Sequence, residues 1–197
     1  MTGKEIKYRI SYALGDPTSH SYRSRGMSIF NNVRNKFATR SRGIFLTHYQ
    51  QACILPLEEV KGRESILNNA IMTNCVVKRT GEVPKSIRNN NLYPYEFVGG
   101  ATGHGYMFIE PSGLERFYHL PGNEHITGYT VLNNRAYIIM PNNRKSKLKY
   151  LKIVSIFENP YKVPFHLING DCEYLTDDDE YPFNDDLFSF YYHYKQA

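Results

Sequence analysis

The chain has 197 residues, 41% of them hydrophobic and 22% charged, which suits one well-cored domain, with room for a large insertion, and excludes a disordered polymer. Its formal net charge of +5 hides a split: residues 1–170 hold 23 Lys/Arg against 11 Asp/Glu, and residues 171–197 hold one Lys against eight Asp/Glu. Cys53, Cys75 and Cys172 are too far apart for a zinc ribbon or a disulfide scaffold, Met1–Glu5 lacks the apolar run of a signal peptide, and no stretch is long enough to cross a bilayer, so we expect a cytoplasmically made, soluble protein with reduced thiols.

The first helix is well marked. Thr2 and Glu5 form a capping box, Ile6, Ile10, Ala13 and Leu14 share a face, and Gly15 supplies a left-handed stop. A polar loop is expected from Asp16 to Arg25. A second helix comes next over about 27–39, with Ile29, Phe30, Val33 and Phe37 on its apolar face and Arg34, Lys36 and Arg40 on the other. Residues 44–79 are ambiguous. Ile44-Phe45-Leu46 reads as a strand or a helix start, Pro56 interrupts the segment after it, and Ile66, Leu67, Ala70 and Ile71 have helical spacing.

Beyond residue 73 the pattern changes to short strands with turn punctuation. Pro111-Ser112-Gly113 reads as a hairpin turn between strands at Gly105–Glu110 and Leu114–Leu120. Asn133-Asn134 tolerates positive φ between Tyr129–Leu132 and Arg135–Met140. A long strand runs from Leu148 to Phe157 and ends at Glu158-Asn159-Pro160. In the tail, the acidic run Asp177–Glu180 precedes Tyr181-Pro182-Phe183. Asn184 then caps a closing helix with Asp185 and Asp186 in its first turn and Phe183, Leu187, Phe190, Tyr191 and Tyr194 on one face. The fold expected is α+β: a helical oligomerisation part at 1–72 with 176–197, and an inserted antiparallel β meander, barrel-like, at 73–175.

Catalytic signals are thin. His125-Ile126-Thr127 matches half of the paired His-x-Thr/Ser motif of two-histidine phosphoesterases, but His119-Leu120-Pro121 lacks the hydroxyl, so one imidazole would have no counterpart. His104, His119 and His125 do not have the tight spacing of a metal site. The Gly99–Gly105 segment lacks the Lys-Ser/Thr ending of a phosphate-binding loop and reads as a flexible entry to a hairpin. No catalytic residue, metal or cofactor is expected.

Two basic stretches stand out. One holds Arg23, Arg25, Arg34, Lys36, Arg40 and Arg42 with no acidic residue between Asp16 and Glu58; the other holds Arg144, Lys145, Lys147, Lys149 and Lys152. They could be a solvated face, a phosphate-contacting surface of a nucleic-acid binder acting in the host cell, or a receptor for an acidic segment. The acidic partner would be Asp177, Asp178, Asp179, Glu180, Asp185 and Asp186 of a neighbouring copy, since head-to-tail assembly joins two unlike patches of one chain. The 17 Tyr and 11 Phe without Trp suit such contacts, although codon bias in an AT-rich genome gives the same composition.

Several stretches carry a family resemblance. They are Ile126-Thr127-Gly128-Tyr129 through Arg135-Ala136-Tyr137-Ile138-Ile139, then Lys149 to Pro160 closing on Phe157-Glu158-Asn159-Pro160, and the acidic run followed by Tyr181-Pro182-Phe183. With the opening helix and its Leu14-Gly15-Asp16 end, these resemble the ring (neck or collar, head-to-tail connector) proteins of short-tailed crAss-like bacteriophages. The resemblance implies a non-enzymatic virion component. Copies would form a homo-oligomeric ring, a dodecamer, between portal and tail around the DNA channel. The partners implied are the portal, other neck and tail proteins, and genomic DNA passing without sequence specificity. It implies no membrane and no small-molecule substrate.

Overall fold

The computed structural model describes residues 1–16, 18, 20–40, 47–60, 75–87, 95–100, 103–141, 148–168 and 171–183. The expected helical segment around Ile66–Ile71, the residues Ile44-Phe45-Leu46 and the closing helix after Asn184 lie outside these described residues.

Helix α1 (Gly3–Ala13) starts at the expected capping box: the Thr2 side chain accepts from the Glu5 N–H, and Glu5 accepts from the Thr2 N–H at 2.9 Å. Gly15 adopts φ 84 just beyond it. Helix α2 (His20–Arg40) is longer than expected, because nothing after Pro17 breaks a helix. The loop expected from Asp16 to Arg25 is therefore short, opened by Asp16 Oδ1 accepting from the Thr18 N–H at 3.0 Å. The helices cross closely at Gly26, where a Cβ would run into the Ile10 side chain.

The inward face of α2 also differs from expectation. Met27, Arg34 and Ala38 are buried, while Ile29 is 62% exposed and Phe37 is exposed. Periodicity shows that a helix has an apolar side; it does not show which of two adjacent sides finds partners. Here the buried guanidinium of Arg34 decides, because backbone carbonyls from three other segments converge on it.

The β part is a curled seven-stranded sheet in the order β3-β7-β1-β2-β6-β5-β4 with a separate β8-β9 pair. Its strands are β1 (Gln51–Glu59), β2 (Cys75–Glu82), β3 (Phe97–Gly99), β4 (Met107–Phe108), β5 (Gly128–Leu132), β6 (Arg135–Pro141) and β7 (Tyr150–Ser155), with β8 (Pro164–Ile168) and β9 (Asp171–Tyr174) apart. The α+β class is as expected, but the strand order is not that of a meander. Strand β1, which precedes residue 73, lies inside the sheet between β7 and β2. Pro56 fits within β1. Leu57 donates to Lys149 O at 2.8 Å, so Pro56 turns its nitrogen away from β7, toward the side on which β2 pairs only from Leu57 onward.

The Asn133-Asn134 hairpin forms as expected, with φ of 49 and 58 joining β5 to β6. The segment Leu114–Leu120 is not a strand. Pro111 opens a 3-10 turn, and helix α3 (Leu114–His119) comes directly after it. Leu114, Phe117 and Tyr118 fall at helical spacing, and proline at a first helical position starts helices as readily as it makes turns. Without a hairpin there, β4 runs parallel to β5.

The two ends of the sheet meet. Gly99 bridges Gly105, and the Tyr106 N–H donates to Val98 O at 2.7 Å. A Cβ on Gly99 would strike the His104 carbonyl and the Phe97 ring. The glycine-rich segment thus supplies a seam for the curled sheet, and its described residues hold backbone against backbone.

Strand β6 is buried on both sides. Ala136, Ile138 and Met140 join Cys53, Leu55, Leu151 and Ile153 inside the curl. Tyr137 and Ile139 face outward and are covered with Val77 by Leu114 and Phe117 of α3. The two long helices form a third cluster elsewhere, where Ile6, Met27 and Ala38 pack with Tyr49, Ile156, Tyr181 and Phe183. The two long helices and α3 therefore occupy different parts of the subunit.

Candidate assembly surface

Arg34 sits at the centre of the helical cluster with 0% exposure. Its Nε donates to Pro182 O at 2.7 Å, Nη1 to Phe157 O at 3.0 Å and Nη2 to Tyr49 O at 3.0 Å. Nη1 also reaches Asn35 Oδ1 at 2.9 Å. Burial lowers its pKa to about 10, partly offset by Tyr181 and Tyr49, so it stays charged at neutral pH. One planar fork thus ties α2 to the chain before β1, the chain after β7 and the tail. Sequence reasoning placed Arg34 on an open basic face. The structure corrects this: its donors are spent inside the subunit.

The acidic run returns to its own N-terminus. The Gly3 N–H donates to Asp179 O at 3.3 Å and the Lys4 N–H to Asp177 O at 2.7 Å, satisfying amides that the first turn of α1 leaves free. Thr2 bridges Glu180, and the Tyr181 N–H donates to Met1 O at 3.0 Å. Lys7 Nζ lies 2.6 Å from Asp177 Oδ1, and the Tyr161 hydroxyl donates to the same oxygen at 3.1 Å. Partial burial pushes the Asp177 carboxyl up, but Lys7, Tyr161 and Lys4 together hold it below its ordinary value. Asp177 is thus engaged within its own chain. Asp179 accepts from Thr176, both N–H and hydroxyl, and its carboxyl is held low by those bonds. Asp178 remains 84% exposed at its side chain, 3.8 Å from Lys4 Nζ, and Glu180 is exposed.

Of the expected basic residues, Arg25, Lys36 and Arg40 lie on the exposed side of α2, and Arg23 is partly buried. Arg42, Asp185 and Asp186 lie outside the described residues. The exposed cations run beside Ile29, Val33 and Phe37, and α2 carries no acidic residue. On α1, Tyr8 and Tyr12 are exposed and stacked with ring centroids 6.3 Å apart. Most of the large apolar side chains left exposed among the described residues are on or beside these two helices. An open groove of about 1370 Å³ beside them is lined by residues that include Lys7, Asn31, Lys85, Glu158 and Asp177. Its charges are largely matched in pairs, with Lys85 3.0 Å from Glu158.

The residues of the enzyme alternative are on the surface. His119 is 4.0 Å from Glu115, and His125 is 3.6 Å from Glu124; both rings are mostly exposed, and Thr127 is half-buried. No group of three or more His, Cys, Asp or Glu among the described residues could hold a metal ion. Cys53 is buried, which pushes its thiol up to about 12, with Cys172 adding to the effect. No helix among the described residues is long and apolar enough to cross a membrane.

An acidic run tied to the first helix, a curled sheet whose ends meet at a glycine seam and a helical surface that leaves aromatics and cations outward suit a structural subunit. The chain belongs to the crAss-like phage ring family described as phage tail ring protein 2, which it matches over residues 5–190. A search of curated proteins finds no match. The protein is therefore a phage tail ring protein and a virion component, and the family implies a structural role.

Proposed function

We propose that copies of this chain assemble into a closed homo-oligomeric ring, a dodecamer, in the neck between portal and tail. The ring encircles the channel through which genomic DNA passes, and it contacts DNA without reading its sequence. The outward side of the helices forms one half of each subunit seam, with Arg25, Lys36 and Arg40 beside Ile29, Val33 and Phe37. One observation supports this most strongly: apolar and basic side chains stay exposed together on α2, with Ile29 62% exposed and Arg25, Lys36 and Arg40 on the same outward side. Apolar anchors rimmed by charge are how specific interfaces are built. The neck position and the portal partner come from the family reading and from the need for a ring at a channel.

Native mass spectrometry of the purified chain over a range of concentrations tests the proposal. A discrete high-order oligomer is expected, weakened by salt because exposed charges steer the seam. A chain that stays monomeric, alone and with the portal protein added, contradicts it.

A further inference from the structure

A ring seam needs a second patch, unlike the first, on another part of the subunit. We propose that the patch meeting the basic side of α2 is the β4–α3 corner of the next copy, residues 107–127, rather than its acidic C-terminal run. This inference rests on the ring reading and names the surfaces that join.

The backbone of the acidic run and its Asp177 side chain are already committed, although the Asp178 and Glu180 side chains stay exposed. Asp177 is held by Lys7 and Tyr161, the carbonyls of Asp177 and Asp179 cap α1, and Glu180 is bridged to Thr2. Moving this run to a neighbour would strip α1 of the groups that satisfy its first turn. It would also pull Tyr181 and Phe183 from the core and Pro182 O from buried Arg34.

The corner's carboxylates have only local partners, with Glu124 accepting from the Gly122 N–H at 2.7 Å and lying 3.6 Å from His125 and Glu115 lying 4.0 Å from His119, and the corner has the right chemistry. Glu110, Glu115 and Glu124 are exposed, and Arg116 is the one Lys or Arg between residues 107 and 127. Met107 and Leu120 are each 50% exposed. Apolar anchors with an acidic rim thus match Ile29 and Phe37 with a basic rim, and methionine adapts readily to a facing surface. The corner packs on the outer side of β2 and β6 through Leu114, apart from the cluster that holds α1 and α2. Two unlike patches on two parts of one subunit generate the repeating contact that closes a ring.

The test is a charge swap. One variant carries Arg25→Glu, Lys36→Glu and Arg40→Glu; the other carries Glu110→Lys, Glu115→Lys and Glu124→Lys. In each, like charges face each other across every seam, so assembly alone should weaken about tenfold or more. Mixed in equal amounts, each variant offers the other a complementary patch. Higher-order species in which the two alternate should return, seen by native mass spectrometry with one variant mass-labelled. That recovery also shows that both variants are folded. A corner variant that assembles like the wild type overturns this inference and leaves the ring reading standing. So does a mixture that stays dissociated while both variants keep wild-type circular dichroism and melting. A wild-type chain that never assembles overturns both.

Discussion

Arg34 Nε donates to the carbonyl oxygen of Pro182 at 2.7 Å across 148 positions of sequence. That bond, with those to Phe157 and Tyr49, makes a single side chain the junction of the helices, the sheet and the tail. Arg34→Met leaves three inward carbonyls without their donors, and Arg34→Lys supplies an ammonium too compact to reach all three. We expect Arg34→Met to cost about 3–5 kcal/mol and Arg34→Lys about 2 kcal/mol or more, read by urea denaturation. A loss under about 1 kcal/mol for Arg34→Met would contradict the junction.

The clasp between Lys7 and Asp177 carries a pH dependence whose sign is set by its carboxylate. Asp177 is held below its ordinary value, so its contribution is complete above the unfolded carboxylate value of about 3.9 and fades as pH falls through the lower folded value. The side chain is about half exposed, so solvent screening keeps the effect small, below about 1 kcal/mol. Stability measured from pH 6 downward should fall more steeply in the wild type than in Asp177→Asn. Parallel curves would remove the clasp from the account.

At the seam of the sheet two glycines pair but are not equivalent. A Cβ on Gly99 collides with the His104 carbonyl, whereas one on Gly105 comes no closer than 3.4 Å to the Phe97 ring. Gly99→Ala should cost about 1–3 kcal/mol through forced backbone movement, and Gly105→Ala much less. Equal melting temperatures for the two variants would show that the sheet ends are not held together there.

Ile29 is a surface residue of the single subunit and an anchor of the proposed seam. Ile29→Ser should change the stability of the monomer by no more than about 0.5 kcal/mol. Assembly should weaken about tenfold or more, read by sedimentation at graded concentrations. Assembly unchanged at every concentration places the seam elsewhere.

Local chemistry was the legible part of this chain. The capping box at Thr2 and Glu5, the left-handed Gly15 and the Asn133-Asn134 turn each depend on neighbouring residues alone, and each forms as read. Decisions that need distant partners were not legible. Pro111-Ser112-Gly113 fits a turn or a helix start, and only the outward Tyr137 and Ile139 of β6 make α3 the better outcome by giving Leu114 and Phe117 a surface to cover. Arg34 looks like any cation on a basic helix until three carbonyls from remote segments converge on it. A signal was available: Met27, Arg34 and Ala38 fall on one face with Phe30, so an alternative inward side existed, but a buried arginine is not what periodicity selects. The charge split was plain in the sequence. That Asp177 turns back to Lys7 goes with the burial of Tyr181 and Phe183 against the helices, contacts between segments remote in sequence.

The ring itself is tested most directly by electron microscopy of the purified chain. Closed rings of uniform stoichiometry are expected, with the α2 side of each subunit against its neighbour and no free helical face left around the circle. A field of single subunits, or rings in which Arg25, Lys36 and Arg40 all face open solvent, would contradict this assembly.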